Sequence, residues 1–155
     1  MIAIIVAKSK NNVIGSKGSI PWSVSKDLKY FKELTDSNTV IMGRKTYDSL
    51  PENKKPLPNR INIVITKDSN FKANGCIIVN SLEEALLKAD NKNDTFIIGG
   101  GEIYEQSINF VDKIYITEIN GEFDGDTYFP KLSDKWNLVD VVESGECSFM
   151  TYSTN

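Results

Sequence analysis

Residues 2–7, Ile-Ala-Ile-Ile-Val-Ala, contain no polar side chain. A strand with one solvated face alternates apolar and polar residues, so a run without alternation predicts a central strand covered on both faces. Covering two faces of a sheet requires helices on each side, which narrows the chain to an α/β arrangement.

The rest of the sequence fits that frame. Residues 39–42, 61–65, 76–79 and 95–98 read as further strands. Residues 113–119 alternate, with Lys113, Tyr115 and Thr117 on one face and Ile114 and Ile116 on the other. Residues 136–142 and 147–152 form a closing hairpin around Ser144-Gly145-Glu146. Helices fall between these strands. Ser23 or Ser25 caps one whose apolar face is Leu28, Phe31 and Leu34. Residues 43–46 open a short second helix over 47–50. Ser81-Leu-Glu-Glu84 is a capping box for a third, running to Lys88 or Ala89. A fourth begins near Glu102. The predicted fold is one domain over residues 1–155: a central, mostly parallel, twisted sheet of about eight strands with an antiparallel C-terminal hairpin edge and four flanking helices. Residues 9–22 and 121–127 read as loops, and residues 51–58, rich in proline and lysine, as a connector without regular structure.

The formal net charge of −3 comes with no basic block, which argues against a nucleic-acid partner. No apolar stretch approaches membrane-spanning length, and residues 2–7 lack the preceding basic segment of a signal peptide. Cys76 and Cys147 stand far apart, in no metal or redox spacing, as suits reduced thiols in a cytoplasm. No exposed apolar helix or long bare strand demands a partner, so the chain is expected to be a monomer.

The sequence contains no histidine. Zinc sites that need histidine and Ser-His or Cys-His pairs are therefore excluded, and proton exchange near neutral pH falls to a carboxylate, tyrosine, lysine or cysteine with a shifted pKa. Asp27 is the candidate, because it lies four positions before Phe31 on the edge of the first helix's apolar face. The alternative is a helix-dipole partner in solvent. Gly99-Gly100-Gly101, at a strand-to-helix junction, leaves two readings as well: a tight turn, or a place where phosphates approach the backbone unobstructed by a Cβ. Gly43, ahead of Arg44-Lys45-Thr46, makes a second and weaker anion site of the same kind.

Eight stretches together resemble dihydrofolate reductase of the bacterial and phage type. They are the opening apolar run, Asn12-Val-Ile-Gly15, Ile20-Pro-Trp22, Asp27-Leu28 with Phe31, Val40-Ile-Met-Gly-Arg-Lys-Thr-Tyr47, Pro56-Leu-Pro-Asn-Arg60, Ile97-Ile-Gly-Gly-Gly101 with Tyr104, and Gly125-Asp-Thr-Tyr-Phe-Pro130. They occur in the family's order and cover nearly the whole chain. The resemblance implies an oxidoreductase that reduces 7,8-dihydrofolate to tetrahydrofolate, with hydride from NADPH to C6 and a proton to N5, and with antifolates as inhibitors.

By the same resemblance Asp27 anchors the pterin, Thr117 steadies its carboxylate, Trp22 holds a nearby water and Tyr104 lies close to the reacting rings. Ile5, Val6, Leu28, Phe31, Leu50, Leu57 and Ile98 line the slot, and Arg60 takes the substrate's α-carboxylate. Arg44 takes the adenosine 2′-phosphate with Thr66 and Lys67 beside it, while Lys45, Thr46, Gly100 and Gly101 meet the pyrophosphate. Ala7, Ile14, Gly15, Ile20, Gly43, Ile98, Gly99, Glu102, Ile103, Tyr104 and Thr127 complete the cofactor surface, with a cis bond between Gly99 and Gly100. The loop around Ile20 closes over the nicotinamide, braced by residues 121–126. Glu102 departs from the pattern, since many bacterial members carry an arginine there, so the grip on NADPH over NADH rests more on Arg44 and Lys67. The rival readings are a reductase of a ribosylaminopyrimidine and a binding protein without turnover; assays with both substrates separate them.

Overall fold

The computed structural model describes residues 1–15, 20–89 and 91–154. The strands are β1 (Ile2–Ser9), β2 (Val13–Gly15), β3 (Thr39–Gly43), β4 (Ile61–Ile65), β5 (Cys76–Val79), β6 (Thr95–Gly99), β7 (Lys113–Ile119), β8 (Thr127–Tyr128), β9 (Asn137–Glu143) and β10 (Cys147–Ser153). The helices are α1 (Ser25–Thr35), α2 (Arg44–Ser49), α3 (Leu82–Lys88) and α4 (Gly101–Ser107). Eight strands form one sheet in the order β5-β4-β3-β6-β1-β7-β10-β9. The ladders from β5 to β7 are parallel, and β10 runs antiparallel to both β7 and β9. The expected α/β sheet with an antiparallel edge is thus the observed one.

The uniformly apolar β1 is central, and its alternate residues feed two cores. Ile4 and Val6 pack with Ile41, Ile97 and Ile114 under Leu82, Ala85 and Ile103 of α3 and α4. Ala3 and Ile5 pack with Val40, Met42 and Phe96 beneath Phe31 and Leu34 of α1 and Tyr47 of α2. This two-sided burial is what removes polar residues from the strand.

One consequence of the order positions the site. β3 and β6 are parallel neighbours, yet the helix after β3 packs on one face and the helix after β6 on the other. Where successive connections diverge to opposite faces, a crevice opens beyond the strands' carboxyl ends. Gly43 and Gly99 end those two strands.

Several expectations are corrected. α1 has Val24 as its N-cap with no side-chain hydrogen bond, so neither Ser23 nor Ser25 caps it. Packing of one face holds this helix without that bond. Leu28 is 63% exposed and does not share the packed face of Phe31 and Leu34. The connector over 51–58 is not wholly irregular, because Glu52–Lys54 forms a 3-10 turn, with a cis bond at Lys55-Pro56. The presumed loops over 9–22 and 121–127 contribute β2 and β8, which pair with each other. The strand at the hairpin's free edge, β9, is exposed along its whole length, and Trp136 sits just before it in the core. The Ser81 cap is as expected, its Oγ accepting from the Glu84 N–H at 3.1 Å, but Glu84 Oε1 reaches one residue further back than a capping box requires and accepts from the Asn80 N–H at 2.9 Å.

Asn62, fully buried in β4, ties the connector to the sheet. Its amide donates to the carbonyls of Leu57 and Arg60 at 3.0 and 3.1 Å, and its Oδ1 accepts from the Leu57 N–H at 2.9 Å. Asn62→Ala leaves these buried groups unpaired, and its unfolding free energy in urea is expected to fall by about 2 to 3 kcal/mol.

Candidate active site

Asp27 stands in the first turn of α1, half-buried, with the side chain of Thr117 of β7 beside its carboxylate. Burial pushes the carboxyl above the ordinary aspartate value, and the Thr117 bond pulls it part of the way back. Thr117 is itself buried and pairs in register with Ala7 on one side and Phe149 on the other. The threonine beside the carboxylate is thereby placed by two ladders. Trp22 packs with Val24, the residue before α1, and its ring lies 5.3 Å from that of Phe123.

From Asp27 the contacts run to the glycine junction. Two residues before Ala7, the carbonyl of Ile5 accepts the Tyr104 hydroxyl at 2.9 Å. Tyr104 is buried, and both that burial and the Asp27 charge raise its pKa. Its proton is therefore held and already donated, so the residue ties β1 to α4 and is not a free acid. The same hydroxyl lies 3.5 Å from where a Cβ on Gly99 would stand. The Gly99-Gly100 bond is cis, and Gly99 has φ +136°, a conformation open to glycine. A Cβ would meet Thr46 Oγ1 at 3.1 Å from Gly99 and at 3.4 Å from Gly100, and Thr127 Cγ2 at 3.0 Å from Gly101. Gly43 faces the same junction, with Ile103, Gly100 and Gly99 about it. Thr46, Thr127 and the four glycines are thus one cluster at the switch between β3 and β6.

The slot residues divide by face. Phe31, Leu50, Leu57 and Ile98 gather with Ile5 on the α1 side. Val6 does not join them, because the next residue along a strand points to the opposite face, and it packs with Ile4 beneath α4. Leu28 is next to Asp27 and largely exposed. Arg60 closes this end: Nη1 donates to Thr35 Oγ1 at 3.0 Å, Nε to the Pro58 carbonyl at 2.9 Å, and the guanidinium lies 5.9 Å from the Phe31 ring centroid. Burial lowers its pKa from the ordinary arginine value.

At the other end are Arg44, Lys45, Thr66 and Lys67. Lys45 and Lys67 are exposed, and Thr66 Oγ1 accepts from the Asp68 N–H at 3.1 Å. Glu102 is exposed in the first turn of α4, and Ile103 points into the core. Ile14 packs against the core edge, the Gly15 carbonyl accepts from the Asp126 N–H at 3.0 Å, and Ile20 is 61% exposed. Residues 121–126 contact the segment before that loop: the Lys10 N–H donates to the Gly121 carbonyl at 3.0 Å, and Gly125 is packed so closely on Val13 and the Gly15 carbonyl that a Cβ would overlap both. Residues 16–19 of the closing loop lie outside the described residues. Among the described residues no group of three His, Cys, Asp or Glu could hold a metal.

Sequence reasoning missed four residues that support these groups. Thr35 and Asn62 orient Arg60 and its connector, while Asp68 and Phe71 hold Arg44. The spacing from Arg44 to Asp48 follows helix periodicity, but nothing local links Arg44 to a residue 24 positions on.

The fold and this site define an open α/β protein with a desolvated carboxylate and a glycine cradle at its topological switch point. A family model described as dihydrofolate reductase matches residues 1–153. The dihydrofolate reductase of Staphylococcus haemolyticus is 41% identical over 141 residues, spanning 90% of this chain and 83% of that protein. That of Buchnera aphidicola subsp. Baizongia pistaciae is 47% identical over 139 residues, 89% of this chain and 83% of that protein. Among solved structures, dihydrofolate reductase from Enterococcus faecalis, complexed with NADP(H) and RAB-propyl, matches with a TM-score of 0.90 and 36% identity, over 100% of this chain and 96% of that one. The chain belongs to the dihydrofolate reductase family.

Because the folded state raises the Asp27 pKa, native protein binds this proton more tightly than unfolded chain does. Stability from this group is therefore greatest below the ordinary aspartate pKa and declines as pH rises through the raised value. Asp27→Asn is expected to unfold at a higher temperature than the parent at neutral pH. The difference should vanish below the ordinary aspartate pKa, as followed by circular dichroism.

Proposed function

We propose that the chain, as one domain over residues 1–155, reduces 7,8-dihydrofolate to 5,6,7,8-tetrahydrofolate with NADPH, using Asp27 to hold the pterin and Arg60 to hold the acidic tail. The observation that carries this reading is the half-buried Asp27 carboxylate beside Thr117, in a sheet whose Ile5 carbonyl holds Tyr104 at the glycine junction.

The residues fit both ligands. NADPH supplies the hydride when bound. Arg44, Lys45, Thr46, Thr66 and Lys67 offer cationic and hydroxyl donors for its phosphates, and Gly99 to Gly101 keep side chains away from the backbone there. Ala7, Ile14, Gly15, Ile20, Ile98 and Thr127 complete its surface, with Ile103 buttressing Gly43 from the core. On the substrate side, an ionised Asp27 accepts parallel hydrogen bonds from the pterin's ring N–H and 2-amino group. Its desolvated setting raises proton affinity around the ring, which favours the proton at N5. Thr117 fixes the carboxylate's direction, and Trp22 flanks the start of the helix that carries it. Phe31, Leu50, Leu57 and the exposed Leu28 offer apolar contact to the aminobenzoyl segment. Arg60, held by Thr35 and Pro58, keeps free N–H groups for a carboxylate, which it binds as a rigid fork.

The site favours this reading over a ribosylaminopyrimidine reductase because Arg60 and the apolar surface leading to it suit a pterin with an acidic tail. Antifolates, which share the pterin's amino-substituted ring, would compete at Asp27. The free thiols of Cys76 and Cys147 suit a cytoplasmic location, and no helix of the described residues is long and apolar enough to cross a membrane. The chain acts as a monomer in this account, without a nucleic-acid partner.

Oxidation of NADPH on adding dihydrofolate, followed by absorbance, tests the function directly; binding of both ligands without oxidation would contradict it. Asp27→Asn is expected to slow hydride transfer near neutral pH by about a hundredfold or more and to remove its decline with rising pH. An unchanged pH profile would contradict the role given to Asp27. Arg60→Gln is expected to raise KM for dihydrofolate by about 10- to 100-fold with little change in kcat, read from steady-state kinetics.

A further inference from the structure

Arg44 is held on three sides. Nη1 donates to Asp68 Oδ2 at 2.9 Å, Nε to Asp48 Oδ2 at 3.4 Å, and the guanidinium carbon lies 4.5 Å from the Phe71 ring centroid. Phe71 is in turn set edge-on to Tyr47 of α2, at 6.0 Å between centroids. Nη2 has no partner among the described residues.

Asp68 is as firmly placed. Its Oδ1 accepts from the Asn70 N–H at 3.0 Å, its own N–H donates to Thr66 Oγ1 at 3.1 Å, and its carbonyl accepts from the Phe71 N–H at 3.1 Å. An aspartate that closes a turn through one oxygen presents the other in a fixed direction. Here that direction is Arg44. The arrangement orients the guanidinium but offsets its charge. Asp48 and Asp68 bring two negative charges against the single positive charge of Arg44. A 2′-phosphate approaching Arg44 meets the Asp68 carboxylate on the same guanidinium.

We infer that Asp68 sets the cofactor discrimination of this chain: it positions Arg44 against Phe71 and at the same time competes with the adenosine 2′-phosphate for it, holding down the preference for NADPH over NADH. This rests on the reading that Arg44 meets that phosphate. Asp68 is a positioning residue, acting through Arg44, and its two effects are separable by substitution. Asparagine removes the charge and keeps one oxygen, which can accept from Arg44 Nη1 at the expense of the Asn70 N–H. Alanine removes both.

Calorimetric titration of the purified protein with NADPH and with NADH gives the test. In Asp68→Asn the NADPH Kd is expected to fall about three- to tenfold, with NADH changed by less than about twofold, and the gain should shrink at high salt. Asp68→Ala should gain less than Asp68→Asn because Arg44 loses its anchor. An Asp68→Asn protein whose NADPH-to-NADH affinity ratio is unchanged or lowered would overturn the inference, and an equal gain in Asp68→Ala would overturn the positioning role. Arg44→Gln separates the two levels. Weakened NADPH binding with NADH unaffected supports the phosphate placement, whereas equal effects on both cofactors, or none, would remove the reading on which the inference stands.

Discussion

Asp27 of α1 faces Thr117 of β7, and the site is arranged around that meeting of helix and strand. Thr117 is placed by two ladders and buried, so the group that faces the carboxylate is set by the sheet. From β1 the Ile5 carbonyl reaches Tyr104, and Tyr104 reaches Gly99. The sheet thus connects the surroundings of the acidic group to the glycine junction. In a chain without histidine this rigidity matters, because the proton chemistry falls to a carboxylate whose affinity depends on how far it is kept from water.

Why the junction lies where it does follows from the sheet order. β3 and β6 are neighbours whose helices leave to opposite faces, and the glycines that end both strands let α2 and α4 start close together. The crevice is a product of topology, filled with chemistry by a few side chains. The two arginines of the chain stand at its two ends, each held by hydrogen bonds and each over an aromatic ring. A stacked, hydrogen-bonded guanidinium has lost most of its freedom before a ligand arrives, which lowers the entropic cost of binding.

Much of this was legible in the sequence because the signals were local and redundant. Residues 2–7 announced a two-faced strand by lacking any polar residue, and Ser81 with Glu84 announced a helix start that the structure reproduces. The triple glycine and Asp27 were legible as candidates, and the family resemblance gave them roles. What escaped was non-local or too short. β2 and β8 have three and two residues, below the length at which alternation is visible, and they exist because the chain brings them together. Asp68 looked like an ordinary turn residue, since its partner Arg44 is distant in sequence. Leu28 followed helical spacing yet stays exposed, because periodicity gives a direction and not the presence of something to pack against. Val6 packs on the face opposite Ile5, as a strand's two-residue period requires.

The central claim is that Asp27 keeps its proton more tightly than an exposed aspartate does, with Thr117 restraining the effect. Carbon-13 NMR titration of the carboxyl carbon, in protein labelled at aspartate, measures this without turnover. The account predicts a midpoint above the ordinary aspartate value and a further rise in Thr117→Val, where the stabilising hydrogen bond is lost. A midpoint at or below that ordinary value, or one indifferent to Thr117→Val, would contradict it.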